Sequence, residues 1–220
     1  MLVIYGRRSY GEIDRLGDQY AQTGFAHVYF LPIIPLGTTW VLRDLGDSAQ
    51  VLPMRVSGRS IAAAYGRTWG TLVGVVGSVA TVAGGVSLAT LVYGGVTVAS
   101  LATWRWRTSR GDRRRAAELA QDAIGLGCDP AALTRDAARR LRPGVAERWA
   151  TIADGRTPED LITHGGATAE QTAVAFTMLR LIARSEGGAV GKRALADSAR
   201  LLAATPSTAV GAPYRDQLAP

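Results

Sequence analysis

The chain has 220 residues, 47% of them hydrophobic, with 25 Lys plus Arg against 18 Asp plus Glu and a formal net charge of +7. That apolar content excludes disorder throughout and suffices for one ordinary domain or two small ones. Arginine carries the basic balance, since Lys192 is the only lysine, and the single cysteine, Cys128, excludes an internal disulfide and a cysteine-rich metal site. The opening MLVIYGRRSYGEID lacks a basic segment followed by a long apolar one, so no cleaved signal peptide is expected.

Residues 1–57 alternate in the manner of strands: LVIY, FAHVYF, TTWVL and QVLPMRV, separated by Gly, Pro and Asp. They predict a small β domain. Within it YFLPIIPLGTTWVL, Tyr29 to Leu42, resembles small bacterial zinc-ribbon domains in which a strand ends in a Pro-Ile-Ile-Pro-Leu-Gly turn. Those domains hold their metal with paired Cys-x-x-Cys motifs, and positions 1–57 contain no cysteine, so no zinc function is carried over. What the resemblance implies is the fold's hairpin, with Pro32 and Pro35 ending the ladder where their missing N–H groups would leave bonds unmade.

After a linker at 58–67, the 37 residues from Thr68 to Trp104 contain no charged side chain. One helix of that length would run about 55 Å, against a bilayer hydrocarbon core of about 30 Å. The expectation is therefore a transmembrane or re-entrant helical hairpin over 68–104 that turns near Gly84-Gly85. Arg67 and Trp69 on one flank, and Trp104, Arg105, Trp106 and Arg107 on the other, read as one membrane edge visited twice. Arg110, Arg113, Arg114 and Arg115 extend a basic juxtamembrane segment over 105–115, placed to meet anionic lipid headgroups. Small residues recur every four positions: Gly70, Gly74 and Ser78; Gly77, Thr81 and Gly85; Gly95, Ala99 and Thr103. Such ridges let helices approach closely, within one hairpin or between hairpins of several copies.

From 116 to 205 the period becomes helical and predicts a bundle of five or six short helices, with a loose tail at 206–220. Gly127, Asp129-Pro130, Pro143 and Gly155 punctuate it. Thr157-Pro158-Glu159-Asp160 opens one helix, and Thr168 to Gln171 opens another as a capping box closed by Gly187. Val174, Met178, Leu181 and Ile182 share a face of that helix and are expected in the core. A last helix is expected near Lys192 to Ala204, stopping at Pro206.

No stretch encodes a recognisable reaction. GGAVGKR at 187–193 has Glu186 where a phosphate loop needs glycine and Arg193 where it needs Ser or Thr. His27 and His164 have no second ligand at metal spacing, and no nucleophile–base motif appears. Met178 to Leu202 echoes a winged-helix regulator, but Pro206 and Pro213 break the segment where a recognition helix should stand.

These observations predict a membrane-anchored α+β protein with no cofactor and no catalytic or metal site. It would sit at a bacterial inner membrane with both termini cytoplasmic and act as an interaction or scaffold protein for unidentified protein partners, with homo-oligomerisation through the hairpin. The alternatives are an oligomeric pore or transport component, which the absence of ionisable groups in the hairpin disfavours, and a membrane-tethered nucleic-acid-binding regulator, disfavoured because the arginine cluster reads more economically as a membrane edge.

Overall fold

The computed structural model describes residues 5–44, 49–84 and 88–205. Its elements divide into two compact units: residues 1–15, 20–41 and 55–109 form the first, and 16–19, 42–54 and 110–220 the second.

Four antiparallel strands run in the order β1 (Tyr5–Leu16), β2 (Gln19–Val28), β3 (Leu31–Asp44), β4 (Ala49–Met54). Only the last residue of the expected LVIY strand is described; β1 instead contains the polar run RRSYGEIDRL. Along β2, Ala21, Thr23, Phe25 and His27 alternate inward at the period of a strand. The loop between β2 and β3 is Tyr29-Phe30, both at positive φ (48° and 66°), so YF closes a two-residue turn and does not extend the strand. Pro32 and Pro35 do not end the ladder. They pair with His27 and Phe25 inside β3, and the register shifts beside them leave Ile33 and Leu36 as extra residues. Proline is tolerated there because bulges already interrupt the hydrogen-bond ladder. Carbonyls at these irregularities find donors elsewhere: Tyr65 Oη donates to Ile33 O at 2.6 Å, and Trp69 Nε1 to Pro32 O at 3.1 Å.

The expected linker at 58–67 is helical. Ser57 caps α1 (Gly58–Tyr65), a π-helical turn spans Gly66–Gly70, and α2 (Thr71–Gly84) follows directly. Two features seat α1 on the sheet. Gly11, at φ 71°, brings its backbone so close to Ser60 O that a Cβ there would overlap it. A buried hydroxyl chain then links three segments: Thr23 Oγ1 donates to Ser60 Oγ at 2.8 Å, and Ser60 Oγ to Gly11 O at 2.7 Å. Thr23 has one hydroxyl hydrogen and it is committed, so in the 2.9 Å contact between Thr23 and Thr38 it is Thr38 that donates. The N–H of Ser57 donates to Thr38 Oγ1 at 3.0 Å and completes the chain. Ile13, Phe25, Trp40 and Val41 fill the core around it, and Tyr10 and Tyr65 meet the Phe25 ring edge-on at 5.8 and 5.5 Å.

The second hairpin leg is α3 (Leu88–Ala102), followed by a 3-10 turn over Thr103–Arg107. The turn expected at Gly84-Gly85 lies at the edge of the described residues, with Gly85 outside them. The transmembrane expectation is overturned. Among the described residues no helix is long and apolar enough to cross a membrane. The legs have 14 and 15 residues, roughly 21–22 Å at the helical rise, against a hydrocarbon core of about 30 Å. The stretch that made two spans plausible is shortened at both ends, because Thr68–Gly70 belong to the π-helical turn and Thr103–Trp104 to the 3-10 turn that continue the seam at the base of the hairpin. A membrane-anchored fold class and an inner-membrane location rested on those spans and are withdrawn with them.

The second unit holds α4 (Asp112–Ile124), α5 (Arg135–Ile152), α6 (Pro158–His164), α7 (Ala169–Ser185) and α8 (Gly188–Ala204). The central helix is α7, which packs on α4, α5, α6 and α8 and is buried on every side from Gln171 to Thr177. Val174 and Leu181 lie in this core as expected, whereas Met178 and Ile182 are partly exposed. Both capping boxes are present, at Thr157/Asp160 and Thr168/Gln171. Three boundaries differ from expectation. Pro143 sits inside α5, α4 begins within the basic segment, and the glycine-rich link is the first turn of α8.

Candidate functional site

The feature with the most distinctive surface is the α2–α3 hairpin. Four glycines of the first leg face four larger residues of the second in antiparallel order. A Cβ on Gly66 would lie 2.9 Å from Thr103 Cγ2, one on Gly74 would lie 2.8 Å from Thr97 Oγ1, and those on Gly70 and Gly77 would overlap Ser100 and Tyr93. Gly70 and Gly74 of one expected ridge and Gly77 of another are therefore used inside the hairpin, while Ser78 of the first is exposed. The receiving ridge of Tyr93, Thr97, Ser100 and Thr103 mixes three- and four-residue steps, so the strict four-residue repeat picked out only Thr103 among them. The expected ridge of Gly95, Ala99 and Thr103 divides: a Cβ on Gly95 meets open space and Ala99 is exposed, while Thr103 is buried. The side chain of Thr81 and all of Gly85 lie outside the described residues.

Beside this seam runs a groove of about 380 Å³. Val75 and Val79 wall it on α2, Leu101 and Trp104 on the second leg, and Gly74, Ser78, Thr97 and Ser100 form its floor. Three of the floor residues carry hydroxyls, yet each of the three donates its hydrogen four residues back along its own helix: Ser78 to Gly74 O at 2.8 Å, Thr97 to Tyr93 O at 2.8 Å and Ser100 to Val96 O at 2.7 Å. Hydroxyl hydrogens spent this way offer nothing to a ligand, so the groove behaves as an apolar surface. Outside the groove the legs are apolar as well, with Leu91 and Val98 69% and 67% exposed.

The arginine–tryptophan motif closes the base of the hairpin. Arg67 donates from Nη1 to Glu12 O at 2.6 Å and from Nη2 to Thr103 O at 3.0 Å, while its Nε is buried without a partner. Burial first, and the neighbouring Arg107 second, lower its pKa from the usual arginine value, against an opposing pull from Glu12. The group still stays charged at any physiological pH. Arg67 and Arg107 both lie over the Trp104 ring, at 5.2 and 5.1 Å from its centre, and Arg59 lies over Trp106 at 5.5 Å. Arg107 pairs with Glu12 at 3.4 Å and Arg59 with Asp14 at 3.0 Å. Glu12 and Asp14, on β1, were not among the expected site residues; their alternation with Ile13 was the available signal.

Arg105 and Arg110 are exposed. In α4, Arg114 pairs with Glu118 at 2.7 Å, and Arg115 pairs with Asp112 at 3.7 Å and donates to Leu202 O and Thr205 O. Arg113, the remaining member of the basic surface, also has an interaction partner. His27 is buried and stacks on Phe30 at 5.8 Å, His164 is exposed at the end of α6, and Cys128 is buried. Among the described residues no group of three His, Cys, Asp or Glu side chains could hold a metal ion. No family model, curated protein or solved structure matches the chain.

Proposed function

We propose that this chain is an interaction or scaffold protein in which the helical hairpin of the first unit is the docking element. One observation carries the reading: α2 and α3 hold an apolar groove and apolar outer stripes toward the surroundings without a charged side chain, on a base fixed by Arg67, Trp69 and Trp104. Exposed apolar surface on this scale is costly in water and marks a surface that binds. Arginines that would otherwise suit nucleic acid are drawn into pairs with Glu12, Asp14 and Glu118, which weakens a phosphate-binding reading. A pore of such hairpins would need legs that reach across a bilayer, and these do not.

The test is photocrosslinking of the full chain in cells, with a photoreactive residue at Val79 or, as a control, at the exposed Arg140 of α5. Protein adducts should form at Val79 and not at Arg140. Absence of any protein adduct at Val79 would refute the reading.

A further inference from the structure

Resting on that reading, we infer that the occupant of the hairpin groove is the hairpin of a second copy of this chain, the two grooves packing across a twofold axis as a four-helix bundle. Three observations converge on it.

The first is chemistry. Thr68 to Trp104 carries no charge, and the groove's hydroxyls are bonded to their own helices, so the surface offers a partner neither an ion pair nor a free donor hydrogen. A complementary surface must itself be apolar, and the chain supplies one in its own hairpin.

The second is shape. In the groove, Val75 and Val79 on α2 and Leu101 on α3 are exposed apolar side chains that stand beside the small residues Gly74, Ser78 and Ser100. The face therefore holds both projections and recesses. Surfaces that carry both can match themselves, which is the requirement of an isologous twofold interface.

The third is area. A third of the circumference of each leg, at a helix diameter of about 10–12 Å and over a length of roughly 21 Å, amounts to roughly 450–550 Å² per copy and about 900–1,100 Å² for the pair. That exceeds the typical incidental contact of less than about 800 Å² and falls just short of the large stable interfaces of about 1,200–2,000 Å², the size of a weak, reversible association. The expected complex is a reversible dimer that forms at micromolar concentration.

The measurement is sedimentation velocity of the full chain over a concentration series, with two single variants. Leu101→Glu, in the groove, should weaken the dimer at least tenfold, while Val76→Glu, on α2 but outside the groove lining, should leave it intact. Leu101 and Val76 are both exposed, so both variants should keep the circular dichroism of the parent. A third variant, Val75→Cys, treated with a short bis-maleimide, should give a covalent dimer, and Arg140→Cys should not. The proposal is overturned by a chain monomeric at about 100 µM, by a dimer that survives Leu101→Glu, by one lost with Val76→Glu alone, or by a larger assembly. It is equally overturned by a monomer whose hairpin binds phosphatidylcholine–phosphatidylglycerol vesicles. A monomer that still crosslinks through Val79 to a different protein sinks this inference and leaves the interaction reading standing.

Discussion

Replacing Ser60 by Ala should be among the most costly single-atom deletions in the first unit. Ser60 Oγ is the middle of a buried chain, accepting from Thr23 and donating to Gly11 O. Without it, the hydroxyl hydrogen of the fully buried Thr23 and the carbonyl of the partly buried Gly11 lose their partners. Each unsatisfied buried group costs about 1–3 kcal/mol, and the Gly11 carbonyl has a second lone pair that softens its share, so the expected loss is about 2–4 kcal/mol. Thr23→Val removes the neighbouring hydroxyl and should cost about 1–3 kcal/mol on its own, because Thr38 and Ser60 are then left short. The double variant is the informative one. With both hydroxyls gone no hydroxyl hydrogen is stranded between them, so its cost should fall below the sum of the singles by at least 1 kcal/mol. Urea unfolding followed by tryptophan fluorescence reads all four proteins, since Trp40 is buried in the same core. Additivity within about 0.5 kcal/mol would refute the donor order assigned to the chain.

Gly70→Ala drives a methyl group into Ser100 and should cost about 1–3 kcal/mol, with Ser100→Gly in the same chain restoring most of it; thermal melts of the two variants decide. Replacing Tyr29-Phe30 by Asn-Gly should stabilise the first unit by about 1 kcal/mol, the relief of two left-handed bulky residues offset by the lost stacking of Phe30 on His27, and a fall in melting temperature would contradict this. Asp122 has a raised pKa, because burial first and Glu118 second disfavour its charge. A carboxyl whose folded pKa exceeds its unfolded value of about 3.9 lowers stability as pH rises from that value through the raised one. Asp122→Asn should therefore gain about 0.2–0.5 kcal/mol at pH 7, the scale of a like-charge pair one turn apart, and nothing below pH 3.5; an equal gain at both pH values would show that charge is not the cause.

Much of the second unit was legible because its signals are local. A Thr three residues before Gln or Asp satisfies orphan N–H groups wherever the helix lies: the box at Thr168/Gln171 is present as read, and the start read at Thr157-Pro158 proves to be a second box with Asp160. Pro143 misled for the opposite reason. Its ring removes one hydrogen bond, but Val145 and Trp149 are buried beyond it, and their packing carries α5 through the break. In the first unit, β1 was missed because four of the eight residues in RRSYGEID are charged and Ile13 is the one residue of the strand that is fully buried. The partners that make it a strand are Phe25 beside Tyr10, Ser60 against Gly11 and Arg59 against Asp14, all distant in sequence.

The charge-free stretch was read as two small-residue legs that cross a bilayer; α2 and α3 do pack on each other, but neither is long and apolar enough to cross, and the two outcomes have one physical origin. A glycine ridge encodes a distance of approach between helices, whatever surrounds them. Here Gly66, Gly70, Gly74 and Gly77 let Thr103, Ser100, Thr97 and Tyr93 approach the first leg in turn. The same holds for tryptophan and arginine at the ends. Their preference for an interface is a preference for a place where an apolar ring can lie against a charged group. Trp104 finds that place between its own chain's Arg67 and Arg107, as Trp106 does with Arg59. Glu12 and Asp14 then supply the anionic partners that lipid phosphates were expected to supply. A cluster satisfied within its own unit fixes the base of the hairpin, and what remains unsatisfied is the apolar face above it.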